Sequence, residues 1–227
     1  MGSSRSLLFL IMAILQVRKF EGSLVSSWSF NGDLSDSSVY SNTLQGNNVE
    51  FLTTTAFQSI LWGQYAHVAG DNSYARRVDF DFMVSNGEFT VEFWVKIDSQ
   101  QYNIFTFANL TTTFLQFWNV GSQAGCQFEI GGEFPVIPDA LCTALQSNSW
   151  HHVAIVGNFT EILWYLDGNF EGSSSLQSNH SIPGVGNLTI GFNSDLANFS
   201  AGTSQSMSDF RMWNTARIRG VGTSKRI

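Results

Sequence analysis

Along most of the chain, apolar and polar side chains alternate with a period of two. In FTVEFWVKID (89–98), Phe89, Val91, Phe93, Val95 and Ile97 fall on one side, and Thr90, Glu92, Trp94, Lys96 and Asp98 on the other. Side chains of a strand point alternately to its two faces, so this stretch predicts a half-buried strand with one aromatic, Trp94, on its polar side. ILWYLDG (162–168) is apolar on both faces and ends in Asp-Gly, which predicts a buried strand running into a tight turn. Shorter segments of the same kind recur at LVSSWSF, NIFTFANL, FLQFWNV, CQFEIGG, LTIGF and SDFRMWN, separated by Gly, Asn and Ser clusters. Their spacing of about 8–15 residues is that of an all-β sandwich or jelly roll of antiparallel sheets. Helical periodicity is nearly absent, and TARIRG predicts one short turn at most.

The same alternation settles the histidine pair in WHHVAIV (150–156). His151 and His152 are adjacent on a predicted strand, so they point to opposite faces and do not share a metal easily. Zinc sites on strands prefer His-x-His spacing, and no cysteine or third histidine lies nearby in the sequence. The segment is read as the first strand of a hairpin, with GNFTE turning the chain into ILWYLDG.

Composition narrows the class. At 227 residues the chain suits a single sandwich domain, and its 20 phenylalanines with only 13% charged residues suit sheets packed face to face. The net charge of −7 conceals an asymmetry. All 18 acidic residues lie between Phe20 and Phe210, where Arg76, Arg77 and Lys96 are the only basic ones. A phosphate backbone needs clustered Lys and Arg, which argues against nucleic acid and, for the same reason, against heparin-like polyanions.

The N-terminus reads as targeting. Arg5 precedes the apolar run LLFLIMAIL (7–15), long enough for a signal h-region and too short to span a bilayer. Residues 1–22 are assigned to a signal peptide, 23–219 to the sandwich and 220–227 to a basic tail, with no other membrane-spanning run. A secreted, extracellular protein is expected. Sequons at Asn109, Asn158, Asn179, Asn187 and Asn198 and the two cysteines, Cys126 and Cys142, suit that compartment. Within one chain these cysteines can pair only with each other.

Read together, W-x-F-x-x-x-L-x-D-x-S at 28–38, GDNSY with the following FTVEFWVKI, WHHVAIV…LWYLDG, NLTIGF (187–192) and DFRMWNTAR (209–217) resemble the laminin G and pentraxin group of concanavalin A-like sandwiches. The resemblance covers about residues 25–219 and implies a jelly roll of two curved antiparallel sheets with loops gathered along one rim. Pentraxins cross-link the first core strand to the central hairpin, and the matching positions here are Glu92 and Ala154, so that disulfide is absent. Of the pentraxin calcium ligands, an Asp-Asn pair falls on Thr111 and Thr112; in a second group Asp195 and Gln205 match, Asn193 replaces a carboxylate and Gly202 stands where a Glu would be. One carboxylate and two amides imply at best a weak calcium site, with Asp36 a further candidate ligand. The plainer reading is that these residues make Asx-turns.

Some concanavalin A-like sandwiches are glycoside hydrolases, which makes that the alternative function. Such chemistry needs two carboxylates about 5–10 Å apart. No E-x-D-x-E occurs, and Glu92 and Asp98 share a face at about 20 Å along a strand. The expected function is therefore a non-catalytic binding or adhesion module that recognises extracellular protein or glycan through its loop rim. Trp94 and Trp118, if coplanar on an open face, would stack on sugar rings.

Overall fold

The computed structural model describes residues 23–53, 63–70, 72–84, 87–120, 125–158, 160–177, 182, 184–191 and 204–217. Fourteen strands are described: β1 (Leu24–Trp28), β2 (Gln45–Asn47), β3 (Val49–Thr53), β4 (Gln64–Ala69), β5 (Tyr74–Asp81), β6 (Phe89–Ile97), β7 (Gln101–Ala108), β8 (Thr113–Val120), β9 (Cys126–Ile130), β10 (His151–Asn158), β11 (Glu161–Leu166), β12 (Asn169–Ser175), β13 (Val185–Gly191) and β14 (Ser204–Trp213). One helix, α1 (Asp139–Leu145), lies between β9 and β10. The periodicity did not foretell it, because two turns give too few residues for a helical pattern to stand out. Its apolar Leu141 and Leu145 are buried, and Pro138 precedes its first turn.

The strands form two antiparallel sheets. An eight-stranded sheet runs β12-β11-β10-β6-β14-β4-β3, with β1 also on β14, and a six-stranded sheet runs β2-β5-β13-β7-β8-β9. The ten-residue β14 takes two partners along one side: Ser204–Met207 pair with β4, and residues 210–213 pair with β1. Between those halves its register with β6 shifts, and Asp209 adopts a positive φ of 49°.

Burial follows the alternation. Phe89, Val91, Phe93, Val95 and Ile97 are all 2% exposed or less, facing the other sheet. Phe93 packs on Phe105 and Phe117 of that sheet and on Phe210 of its own sheet at ring separations of 5.5–6.4 Å. Buried polar tips find partners: the Trp28 indole donates to the Asn42 carbonyl at 2.9 Å and the Trp164 indole to Ser174 Oγ at 3.0 Å. Gly157 lies directly across from Phe89, and a Cβ there would strike the Phe89 ring. The expected hairpin is present, with β11 ending in an Asp167-Gly168 turn in which both residues have positive φ.

Glu92 sits directly opposite Ala154, the pair matched to the pentraxin cross-link. The disulfide is elsewhere: Cys126 and Cys142 are bonded, with Cα atoms 5.4 Å apart, and tie α1 to the edge strand β9. In the chain-entropy model a loop of 16 residues is worth about 3 kcal/mol. Residues 1–22 and 218–227, and with them the signal-peptide assignment and the whole of the expected tail, lie outside the described residues. Among the described residues no helix is long and apolar enough to cross a membrane.

Candidate functional site

Each sheet has one face in the core and one turned outward, and the two outward faces are built differently. On the eight-stranded sheet, one row of directly opposed residues reads Phe170, Tyr165, Ala154, Glu92, Arg211 and Ser27. Glu92 is 3% exposed. Its carboxylate lies 3.4 Å from Arg211 Nη1 and 3.9 Å from Arg217 Nη1, with His152 Nε2 at 4.0 Å. Burial pushes the Glu92 pKa above its ordinary value, while the two arginines pull it back. Burial also lowers His152 to about 4, so its imidazole is neutral at neutral pH. The C-terminal segment straps this face: Thr90 Oγ1 donates to the Thr215 carbonyl and accepts from the Arg217 amide. Ala216 covers a small apolar cluster of Ala154, Val156 and Leu163, and the Arg217 guanidinium lies 4.3 Å above the Trp213 ring.

Further along the same face, beyond the row of His152, Trp94 and Ser208, another opposed row is formed by Glu50, His67, Ser206 and Lys96. His67 Nδ1 is 3.0 Å from Ser206 Oγ and 4.0 Å from Asp98 Oδ2. A nucleophilic relay needs the hydroxyl on one ring nitrogen and the carboxylate on the other. Both groups face the same nitrogen here, so the trio does not form a relay. Lys96 also holds Asp98, at 3.1 Å. A groove of about 460 Å³ opens beside His67, Glu50 and Asn48.

Among the described residues, the outward face of the six-stranded sheet carries no such ion cluster. Its central row crosses every strand as Gln45, Arg76, Thr189, Thr106, Gln116 and Glu129. The rows on either side of it point inward: Ile190, Phe105, Phe117 and Phe128 on one, Leu188, Phe107, Leu115 and Ile130 on the other. Exposure falls from Gln45 to Thr189 and Thr106, which are buried, and rises again at Gln116 and Glu129. The two hydroxyl residues at the middle of the row, Thr189 and Thr106, are 0% and 6% exposed. Asn103 ties this row together, donating to Thr106 Oγ1 at 3.1 Å and to the Gly191 carbonyl at 2.9 Å and accepting from Gln116 Nε2 at 3.2 Å. Thr189 Oγ1 and Arg76 Nε are buried and have no hydrogen-bond partner among the described residues. Burial raises the Glu129 pKa.

The residues singled out in the sequence are placed as follows. Trp94 is on the outward face of the eight-stranded sheet, edge-on to His152 at 5.2 Å. Trp118 is on the other sheet, 6% exposed and edge-on to Phe134 at 6.2 Å. The two indoles therefore share no stacking plane. Gln205 is fully buried between the sheets, where its Nε2 donates to the Asn103 carbonyl at 2.9 Å and its Oε1 has no partner among the described residues. Asn193 and Asp195 lie outside the described residues, as do the sequons at Asn179 and Asn198. Asp36 is engaged locally, accepting from the amides of Ser27, Ser38 and Asn42 and from Ser38 Oγ. Among the other sequons, Asn109 caps its own turn by accepting from the Thr111 and Thr112 amides, Asn158 ends β10 and Asn187 lies on β13. His151 turns away from His152 and bonds Asp167 at 2.9 Å.

A family model described as the Concanavalin A-like lectin/glucanases superfamily, Laminin_G_3, matches residues 69–219. No curated protein matches the sequence. Among solved structures, the chain is similar to the binding domain of botulinum neurotoxin DC in complex with rat synaptotagmin II (TM-score 0.66, 14% identity, 88% of this chain and 50% of that one). It is also similar to the binding domain of Paraclostridial Mosquitocidal Protein 1 (0.65, 14%, 88% and 51%). A third is the botulinum neurotoxin serotype D ligand binding domain in complex with N-acetylneuraminic acid (0.62, 13%, 86% and 48%). The chain spans about half the length of these structures, and at such identities the likeness shows the fold.

Proposed function

The chain belongs to the Laminin_G_3 family of the concanavalin A-like lectin/glucanases superfamily, and from that premise we propose that it is a non-catalytic extracellular module that binds protein or glycan ligands. The observation that carries this reading is the polar row across all six strands of one sheet, where a rigid scaffold holds amide, hydroxyl and guanidinium groups outward. Rigid strands place such groups more precisely than loops do. The ligand class is supported by the similar binding domains, whose structures hold N-acetylneuraminic acid in one case and synaptotagmin II in another. The Cys126–Cys142 bond supports an oxidising, extracellular setting.

Glycoside hydrolysis is the weaker reading. Glu92 is neutralised by two arginines, and Glu129 has no second carboxylate in its row. Weak calcium at Asn193, Asp195 and Gln205 belongs to the proposal as well. The unpartnered Oε1 of Gln205 is its one structural support.

The test is binding without turnover. The secreted chain is applied to a glycan array and to intact cells, untreated or treated with trypsin or glycosidases, while released reducing ends are measured. Cell binding that one treatment abolishes identifies the ligand class. Absence of binding to both array and cells, or appearance of new reducing ends, overturns the reading.

A further inference from the structure

We propose that Asn109 and Asn187 carry covalent N-glycans that cover an exposed apolar end of the six-stranded sheet. The proposal rests on the extracellular setting read above and concerns a modification of this chain, not its ligand.

Three strands meet this end. β7 runs out at Ala108, whose Cα partner is Asn187 near the start of β13, and β5 runs out at Asp81, whose partner is Val185. Exposed here are Leu110 at the tip of the β7–β8 turn (96%), Met83 (60%), Val185 (56%) and Val78 (47%). Met83 adjoins Val185, because a Cβ built on Gly184 would lie 3.6 Å from the Met83 side chain. Val78 is in the β5 stretch across from Asn187, where the register between the two strands shifts. These four are among the ten large apolar side chains exposed in the described residues, so the exposure is gathered and not scattered. Such a patch, left bare, invites association.

Both acceptors stand beside the patch. Asn109-Leu110-Thr111 and Asn187-Leu188-Thr189 are N-x-Thr sequons. Asn109 immediately precedes Leu110, and Asn187 follows Val185 by two residues, so alternation puts Asn187 and Val185 on one face. In the turn, Asn109 Oδ1 accepts from the Thr111 and Thr112 amides at 2.9 and 2.8 Å and from Thr111 Oγ1 at 3.1 Å. Two backbone N–H groups require the oxygen in that place, which assigns the other amide atom as Nδ2. Asn109 is exposed, and its Nδ2 has no hydrogen-bond partner among the described residues. A glycan on Nδ2 therefore breaks no bond of the turn. On β13, Leu188 is fully buried, so the half-buried Asn187 projects from the outward side.

The modification joins Nδ2 to the anomeric carbon of a sugar. The bond from that carbon to the diphosphate of a lipid-linked oligosaccharide breaks, the lipid diphosphate leaves and the amide gives up one proton. Nothing is oxidised or reduced. N-glycans are bulky and solubilising, so one beside Leu110 and one beside Val185 turn an apolar end into a hydrated one. Asn158 supplies a control, since it ends β10 on the other sheet.

The experiment uses the full chain secreted from eukaryotic cells. A peptide N-glycosidase in heavy-oxygen water labels each occupied asparagine for mass spectrometry, and Asn109 and Asn187 should both be labelled. Thr111→Ala with Asn187→Gln removes the two sequons and keeps the Asn109 turn. That variant should bind about twofold more of an apolar fluorescent dye and self-associate in sedimentation. Adding Leu110→Ser and Val185→Thr to it should restore weak dye binding and the monomer, and Asn158→Gln alone should change neither. Where a variant fails to fold, enzymatic deglycosylation of the folded Asn158→Gln chain reads the same two quantities. Bare Asn109 and Asn187 overturn the proposal. A glycan at Asn158 then leaves the extracellular reading standing, whereas bare asparagines at every sequon count against that reading too. Glycans whose removal alters neither dye binding nor association overturn the covering role. A glycosylated chain that is already dimeric, and becomes monomeric on Leu110→Ser, assigns the patch to a second copy and overturns the proposal as well.

Discussion

The two outward faces of this sandwich are made by the same alternation, yet they handle polar side chains in opposite ways. On the eight-stranded sheet the charged groups are spent on one another, although the buried His152 Nδ1 has no hydrogen-bond partner among the described residues. Glu92, Arg211 and Arg217 form a half-buried ion cluster, and residues 215–217 lie across it. On the six-stranded sheet, amides and hydroxyls bond along the row while Thr189 and Arg76 keep unpaired atoms. A face that has closed on itself stabilises the fold.

The sharpest way to break this contrast is to remove the same residue type from each face. Arg211→Met leaves the Glu92 carboxylate buried with only Arg217 in support, and breaking a buried pair costs about 3 kcal/mol. Arg76→Met removes a guanidinium whose Nε has no partner, and should change stability by about 0.5 kcal/mol or less. Urea unfolding of both variants measures the difference. Equal costs would mean that the two faces are equivalent in energy and that the contrast is only one of composition. Glu92→Leu combined with Arg211→Met should recover most of the loss, because well-packed apolar replacements of a buried pair are often neutral.

What was legible in the sequence was what depends on alternation alone. Phe89 through Ile97 were readable as a core face because every second residue is large and apolar. Asp-Gly at 167–168 was readable as a turn because few other residues tolerate two positive φ values. The polar row was half visible: Thr106, Gln116, Glu129 and Thr189 are each a lone polar residue between two apolar ones. What no single strand reveals is the register that lines them up, since that is set by pairings between residues up to about a hundred positions apart. Trp118 misled for a related reason. Period two put it on an outward face without revealing that Phe134, from the β9–α1 connection, would pack against it.

Acid should separate the faces again, with a smaller effect. His152 is held near pH 4 in the folded chain against an ordinary value of 6.5. Between these values the unfolded chain binds the proton and the folded chain resists it, so stability falls as pH drops from about 6.5 to 4. Glu92 acts in the opposite sense. Its raised pKa means that the folded state protonates first, so acidification just above the unfolded carboxylate value favours folding and offsets part of the loss. The net expectation is a decline of about 1–2 kcal/mol between pH 7 and 5. His152→Gln should flatten that decline, whereas Glu129→Gln on the opposite sheet should leave the histidine-dependent part in place. Urea midpoints at the two pH values read this out. A slope unchanged by His152→Gln would mean that another group carries the acid sensitivity.

The smallest expected effect lies between the faces. Gln205 reaches from β14 to the β7 backbone with its Nε2, which leaves Oε1 as its remaining ligand atom. With one carboxylate, calcium would bind at about millimolar strength, typical of extracellular modules. At 10 mM calcium, mass action then gives about 1.4 kcal/mol, or about 3–6 °C in melting temperature for a chain of this size. Asp195→Ala should abolish the rise. A rise that survives Asp195→Ala would place the ion elsewhere. Asp36 is a poor second choice, since its two oxygens already accept four hydrogen bonds. Glu50, which lines the groove beside His67, would then be the carboxylate to replace, and loss of the rise in Glu50→Gln would put the calcium on the closed face.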